Sequence, residues 1–310
     1  MPGPAMSDWQ AALVAASLAH NVKLWSDAKA AETYLADLIQ QRLELASPEV
    51  CQKRQAFFGL AKAEDYAEQV LALDGATLLA GIRFRNLDPG FPFVELMTDL
   101  PPAELSARRP EIQTRLCQAY APFAPLGMTL RLPAELDLPR AEVWNLYLAG
   151  PPRPASAIES VIESASLSLR LRRPARIMDQ QRLVAAYQIW SGQHPQLAGL
   201  LGPESNADLQ SALEAGLYFE CDAAAECIGL IAGHAAPYWD QQGVCVIEEL
   251  IWPHCQGRGY GRIMQRLFQD AIAPNYDCLW GTIHPLNQAS LKTALRCGRS
   301  ISEQEIFLRF

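Results

Sequence analysis

The sequence has 310 residues, half of them hydrophobic, and a formal net charge of −8. A chain of that size can bury a large core and has room for about two domains. The acidic balance, with charge spread evenly over both halves, excludes a nucleic-acid binder, which needs clustered Lys and Arg to neutralise phosphates.

The apolar run "WQAALVAASLAH" follows Asp8 rather than a basic cluster and is soon interrupted by polar residues, so neither a signal peptide nor a transmembrane span is expected. Eight cysteines, at 51, 117, 221, 227, 245, 255, 278 and 297, include no CxxC pair. They are expected to be reduced, buried thiols of a cytoplasmic protein, with no metal site. From 26 to 46 the spacing of apolar residues predicts a helix, and a weaker helix follows from Pro48 to Ala63. The period then changes. "EQVLAL-DG-ATLLAGIRFRN" reads as a hairpin with Asp74-Gly75 as its turn, and "FPFVELMTDL" as a further strand. A helix from Ala103 to Tyr120 and the strands "MTLRLP" and "EVWNLYLAG" complete the first half.

Pro and Gly concentrate in "LAGPPRPAS", residues 148–156, where a linker is predicted between a domain at 1–150 and a domain at 151–310. The basic cluster "RLRRPAR", 170–176, reads as a solvated strand edge or linker. Two helices are predicted in "DQQRLVAAYQIWS" and "NADLQSALEAG". A hairpin, "GLYFECDAAAECIGLIAGHAA", and a strand, "GVCVIEELIW", come next. A helix in "GRIMQRLFQDAIA", a strand "CLWGTI", a helix in "NQASLKTALRCG" and a strand "EQEIFLRF" follow. The order of elements repeats that of the first half, which predicts a tandem α/β chain.

Between the strand and helix stands "HCQGRGYGR", with Gly257, Gly259 and Gly261 within five residues. A strand-to-helix turn exposes free N–H groups and the positive end of a helix dipole, a setting for phosphate oxygens. The GxGxxG fingerprint fails because position 262 is Arg, and the GK[ST] of a P-loop is missing. What remains, Gln256-x-x-Gly259-x-Gly261, resembles the pyrophosphate loop of the GNAT acyltransferases, in the same order of hairpin, strand, glycine loop, helix, strand, helix, strand. The resemblance covers roughly residues 175–310.

It implies two tandem GNAT-like domains, each a mixed, mostly antiparallel sheet flanked by helices. It further implies acetyl-CoA or another acyl-CoA as co-substrate, with no metal, and a small primary amine as acceptor. The loop residues Gln256, Gly257, Arg258, Gly259, Tyr260, Gly261 and Arg262 would hold the pyrophosphate. Leu250, Ile251 and Trp252 would run beside the pantetheine arm and offer a backbone N–H to the oxyanion. Asn287 and Ser290, at the start of the next helix, would contact coenzyme A, although Asn287 serves equally well as a helix cap.

Glu248 and Glu249 interrupt an otherwise apolar strand. Burying a carboxylate costs several kcal/mol unless it is paired or its pKa rises, so one of them is the candidate general base, and a bulge could decide which faces the cleft. His254 and His234 are further bases. Where many members of the family place a Tyr as the acid for the leaving thiolate, this sequence has Ala294, leaving Cys297, Ser290 or water. Trp239, Tyr238 and Trp252 are candidates to line an acceptor pocket and equally good core residues. The first half has "PPAELSARRPEIQ" in place of the glycine loop, so no cofactor is expected there. The missing Tyr supports an alternative, a non-catalytic acyl-CoA-binding sensor.

Overall fold

A computed structural model describes residues 6–152, 169–224 and 226–310; residues 153–156 of the predicted linker lie outside them. The chain forms two compact units, residues 1–145 with 303–310, and residues 146–302. Among the described residues no helix is long and apolar enough to cross a membrane.

In the first unit, α1 (Asp8–His20) opens on a capping box between Ser7 and Gln10, and α2 (Ala28–Glu44) on Asp27, whose carboxylate accepts the N–H groups of Lys29 and Ala30. Helix α3 (Pro48–Phe58) stops earlier than predicted, at Gly59 in the left-handed region, φ 68°. The hairpin of β1 (Gln69–Leu73) and β2 (Ala76–Phe84) turns at Asp74-Gly75, both with positive φ. After β3 (Pro92–Thr98) the single helix predicted over 103–120 is two, α4 (Pro102–Ala107) and α5 (Arg109–Ala119). Pro110 is the reason: it has no N–H to give the preceding turn, so a new helix starts with the proline in its first turn. Strand β4 is Gly127–Pro133.

Glu68 anchors this unit's buried ion network. Its carboxylate accepts from Arg42 Nε at 3.1 Å and Nη2 at 2.7 Å, and from Arg83 Nη1 at 2.6 Å. Gly81 makes room for it, since a Cβ there would lie 1.8 Å from a Glu68 carboxylate oxygen. Replacing Glu68 by Ala leaves two guanidinium groups with little water to turn to and one carboxylate, Glu95, to share between them, and is expected to cost about 3 kcal/mol of stability. A urea midpoint close to that of the parent protein would show that Arg42 and Arg83 re-pair without loss.

The second unit begins within β5 (Glu142–Gly150) and continues with β6 (Leu169–Arg172). Here the basic cluster is a sheet edge, with Arg172 bonded to Glu220 and Asp222. Helices α6 (Gln180–Gln193) and α7 (Asn206–Glu214) lead into the hairpin of β7 (Tyr218–Ala223) and β8 (Glu226–Ala235). Then come β9 (Gly243–Ile251), α8 (Tyr260–Ile272), β10 (Cys278–Ile283), α9 (Gln288–Arg296) and β11 (Ser300–Arg309). The sheet of this unit has helices on both faces: Met264 and Phe268 of α8 pack with Phe219, Ile231 and Val244, while Leu183 of α6 and Leu209 of α7 pack with Tyr218, Leu230, Leu250 and Trp252.

Strand pairing in the two units follows one scheme. In the first, β1, β2 and β3 pair antiparallel, β3 and β4 are parallel over only two residue pairs, and β4 is flanked by antiparallel β11 from Glu303 to Arg309. In the second, β7, β8 and β9 pair antiparallel, β9 and β10 are parallel over three residue pairs, and β10 is flanked by antiparallel β5 from Leu146 to Gly150. The last strand of each unit is therefore supplied by the other half of the sequence. The fold is mixed α/β, with a mostly antiparallel sheet flanked by helices.

Candidate functional site

The parallel ladder between β9 and β10 ends at Cys245 and Trp280. Beyond that point β9 continues along β8 and β10 along β5, so the two strands separate as they approach their C-terminal ends. On the way β9 carries an extra residue: Ala232 faces Glu248 but the next residue, Gly233, faces Val246, which leaves Ile247 unpaired. This bulge inverts the alternation of side chains after it. Glu248 consequently lies on the α6/α7 face of the sheet with Leu250, and Glu249 on the α8 face with Ile251.

The turn from β9 into α8 is built by its own side chains and glycines. Gln256 reaches back to donate to the carbonyl of Ile251 at 2.8 Å, closing the loop against the strand it left. Gly257 and Gly259 have φ of 77° and 79°, and a Cβ at either would meet nothing within 4 Å. The backbone demands glycine at both, and both open toward empty space. Gly261 differs: a Cβ there would make ordinary contacts, 3.9 Å to Ile251 and 4.0 Å to Glu249. Gly259 caps α8 without a side-chain acceptor, so the amides of the first helical turn remain available.

These features open onto a cavity of about 610 Å³. Its lining includes most of the residues expected from the sequence: Glu249, Leu250, Ile251, Gln256, the whole run Gly257 to Arg262, Asn287 and Ser290. Arg258 and Arg262 give that wall positive charge, to which Arg296 of α9 adds a third guanidinium. Asn287 is also the helix cap, its Oδ1 accepting the Ser290 N–H at 3.3 Å. Two of the expected residues do not line the cavity. Trp252 is core, its Nε1 donating to the Cys227 carbonyl at 2.8 Å beneath the Arg182 guanidinium. Glu248 is covered by Tyr187, whose hydroxyl donates to Glu248 Oε1 at 2.7 Å, while the Glu204 N–H donates to Oε2 at 3.1 Å.

Both carboxyls are pushed above the usual carboxylate range, in each case chiefly by burial. The bonds from Glu204 and Tyr187 oppose the rise at Glu248; the Arg299 charge and the Gln265 amide, 2.7 Å from Oε2, oppose it at Glu249. Arg299 is itself lowered by burial.

The other residues singled out in the sequence stand elsewhere. His254 Nε2 lies 3.2 Å from Glu226 Oε1 on the surface, and His234 is exposed. Tyr238 and Trp239 are buried, Tyr238 against Trp280 and with its hydroxyl on Ser302. Cys297 is buried, its thiol pushed up to about 11 by burial and donating to the Arg262 carbonyl. Ala294 is fully buried.

Sequence reasoning missed another wall of the cavity. Tyr187 and Trp190 of α6, His194 at its C-terminal cap and Leu201 line it. Their spacing of three and four places them on one helix face, a pattern that equally describes packing against a core.

The sequence matches no protein-family model and no curated protein. Solved structures do match. A GNAT-family acetyltransferase from Colwellia psychrerythraea is similar over 84% of this chain and 95% of its own, with TM-score 0.50 and 10% identity. A GCN5-related N-acetyltransferase from Sphaerobacter thermophilus covers 86% of this chain and 90% of its own at TM-score 0.46 and 12% identity. One from Kribbella flavida covers 84% and 94% at 0.41 and 13%. The strand separation, the glycine turn after β9 and the structural match over most of the chain agree, and on them we conclude that this chain has the fold of the GNAT acetyltransferases.

Proposed function

We propose that the protein transfers an acyl group, probed most simply as acetyl, from coenzyme A to the primary amine of a small molecule. The observation that carries this reading is the convergence, in one cavity, of the glycine turn, three arginines, Asn287, Glu249 and the end of β9, the strand that has by then parted from β10. Free amides at the start of α8 and the arginines suit the pyrophosphate. The gap between the strands suits the pantetheine arm, whose amides can pair with the open edge of β9.

The oxyanion donor follows from the ladder. The Trp252 N–H is taken by the Ile228 carbonyl. By alternation along an antiparallel pair, the Leu250 N–H also points to β8 and the Ile251 N–H points away, into the gap. Ile251 is thus the backbone donor for the developing negative charge. The amine attacks the thioester directly, with catalysis resting on positioning and on a base from the glutamate pair. Residues 1–150 are, in this reading, a degenerate copy without a cofactor loop. Pro101 and Pro102 stand where its glycines would be, and prolines offer no amides to a phosphate.

Calorimetric titration with acetyl-CoA, followed by release of free thiol on a panel of amines, tests the proposal. Binding with thiol release supports it. Binding with no release on any amine favours the sensor, which Ala294 already recommends, and absence of binding overturns both.

A further inference from the structure

The geometry points to Tyr187 as the group that carries protons between the reacting amine and Glu248, an inference that rests on the acyltransferase reading above. Glu248 is 3% exposed and does not line the cavity, so an amine in the cavity cannot hand it a proton directly. Tyr187 spans the distance. It lines the cavity, and its hydroxyl donates to Glu248 Oε1 at 2.7 Å. The Glu204 N–H occupies Oε2 at 3.1 Å, which fixes the carboxylate and reserves Oε1 for the tyrosine. The phenol oxygen keeps its acceptor capacity for an incoming proton. Its ring is held edge-on against Trp190, 6.2 Å between centroids.

Glu249 lines the cavity itself but stands at its phosphate end, away from the reacting amine in this reading, and is the weaker candidate for that reason. Its carboxylate lies on the other face of β9, under the first two turns of α8, where Gln265 donates to it and a Gly261 Cβ would come within 4.0 Å. That is the end of the cavity formed by the glycine turn. The ionisable groups around Glu248 are Tyr187, Tyr218 and Glu204, with Glu249 beside it on the strand. Burial raises Tyr187 well above the ordinary phenol value, so the tyrosine passes the proton on and does not store it.

The steps balance. A neutral amine attacks the carbonyl carbon and the C–N bond forms. One N–H proton passes to the Tyr187 oxygen as the tyrosine's own proton passes to Glu248 Oε1. The intermediate collapses, the C–S bond breaks and its electron pair leaves on sulfur. The same two transfers in reverse then bring the proton from Glu248 through Tyr187 to the thiolate, giving amide, free thiol and the starting enzyme. One relay serves as base and acid, and no separate donor is needed at Ala294.

The test uses Tyr187→Phe, Glu248→Gln and the double variant of the full chain, with acetyl-CoA and spermidine, tyramine and ethanolamine as probe amines. Each single variant is expected to bind acetyl-CoA within about twofold of wild type and to lose about 100-fold or more in kcat. The double variant is expected to lose no more than the worse single one, because the two residues share one path. The rise of kcat with pH that ionisation of Glu248 causes disappears in Glu248→Gln. Wild-type kcat in Tyr187→Phe, or losses that multiply in the double variant, overturns the relay alone. No acetyl-CoA binding by wild type, or binding with no thiol release on any probe, overturns the acyltransferase reading and the relay with it.

Discussion

Removing residues 303–310 is expected to abolish the cooperative folding of the first unit. Seven residues of β4, Gly127 to Pro133, pair with that stretch. Ile306, Phe307 and Leu308 are each 2% exposed, and Phe307 stacks on Trp144 with ring centroids 4.4 Å apart. Burying three such side chains is worth roughly 5–9 kcal/mol, which is the scale of a whole domain's stability. The polar losses add to this, since Arg131 loses Glu303 and Asn145 loses Glu305. Hydrogen exchange on the truncated protein should show protection lost throughout β1 to β4. A truncated protein that still melts cooperatively, with β4 amides as protected as before, would contradict the pairing.

Gly259→Val is expected to reduce acetyl-CoA affinity by 100-fold or more while lowering the melting transition by no more than about ten degrees. The substitution acts twice on the site. A β-branched residue resists φ of 79°, at a cost of about 1–3 kcal/mol that reshapes the turn. Its branches also project into the open side, because no protein atom lies within 4 Å of the Cβ position. Gly259→Asn separates the two effects, since Asn tolerates the left-handed region. It should keep full stability and still bind acetyl-CoA poorly. Affinity unchanged in both variants would mean that the phosphates lie elsewhere.

Much of the architecture was legible because it is written locally. Asp74-Gly75 specifies its own turn, Cys278–Ile283 is apolar and bounded by turn residues, and the glycine turn is recognisable from spacing alone. What was not legible depends on contacts between residues distant in sequence. Nothing in "MTLRLP" says that its partner lies some 170 residues further on, and a reading in chain order keeps "EVWNLYLAG" with the first half and "EQEIFLRF" with the second, whereas Leu146–Gly150 flanks β10 and Glu303–Arg309 flanks β4. A bulge is foreseeable as the feature that could decide the faces of Glu248 and Glu249, but its place at Ile247 arises from the register with β8 and leaves no mark on composition. Tyr187 reads as one more apolar position on an amphipathic helix; only its 2.7 Å bond to a carboxylate 61 residues away distinguishes it. The break before α5 could have been foreseen, because Pro110 stands inside the predicted helix.

The exchange of strands also dictates an order of events during synthesis. When residues 69–133 leave the ribosome, β4 presents a bare hydrogen-bonding edge, and its partner is encoded at 303–309. At about 5–20 residues per second the nascent chain carries that open edge for roughly ten seconds or more, a template for pairing with another chain. Pairing at such separation is also slow to form once both strands exist. The first unit is the first to be made and the last to close, so the yield of soluble protein is governed by how well that edge is shielded during translation.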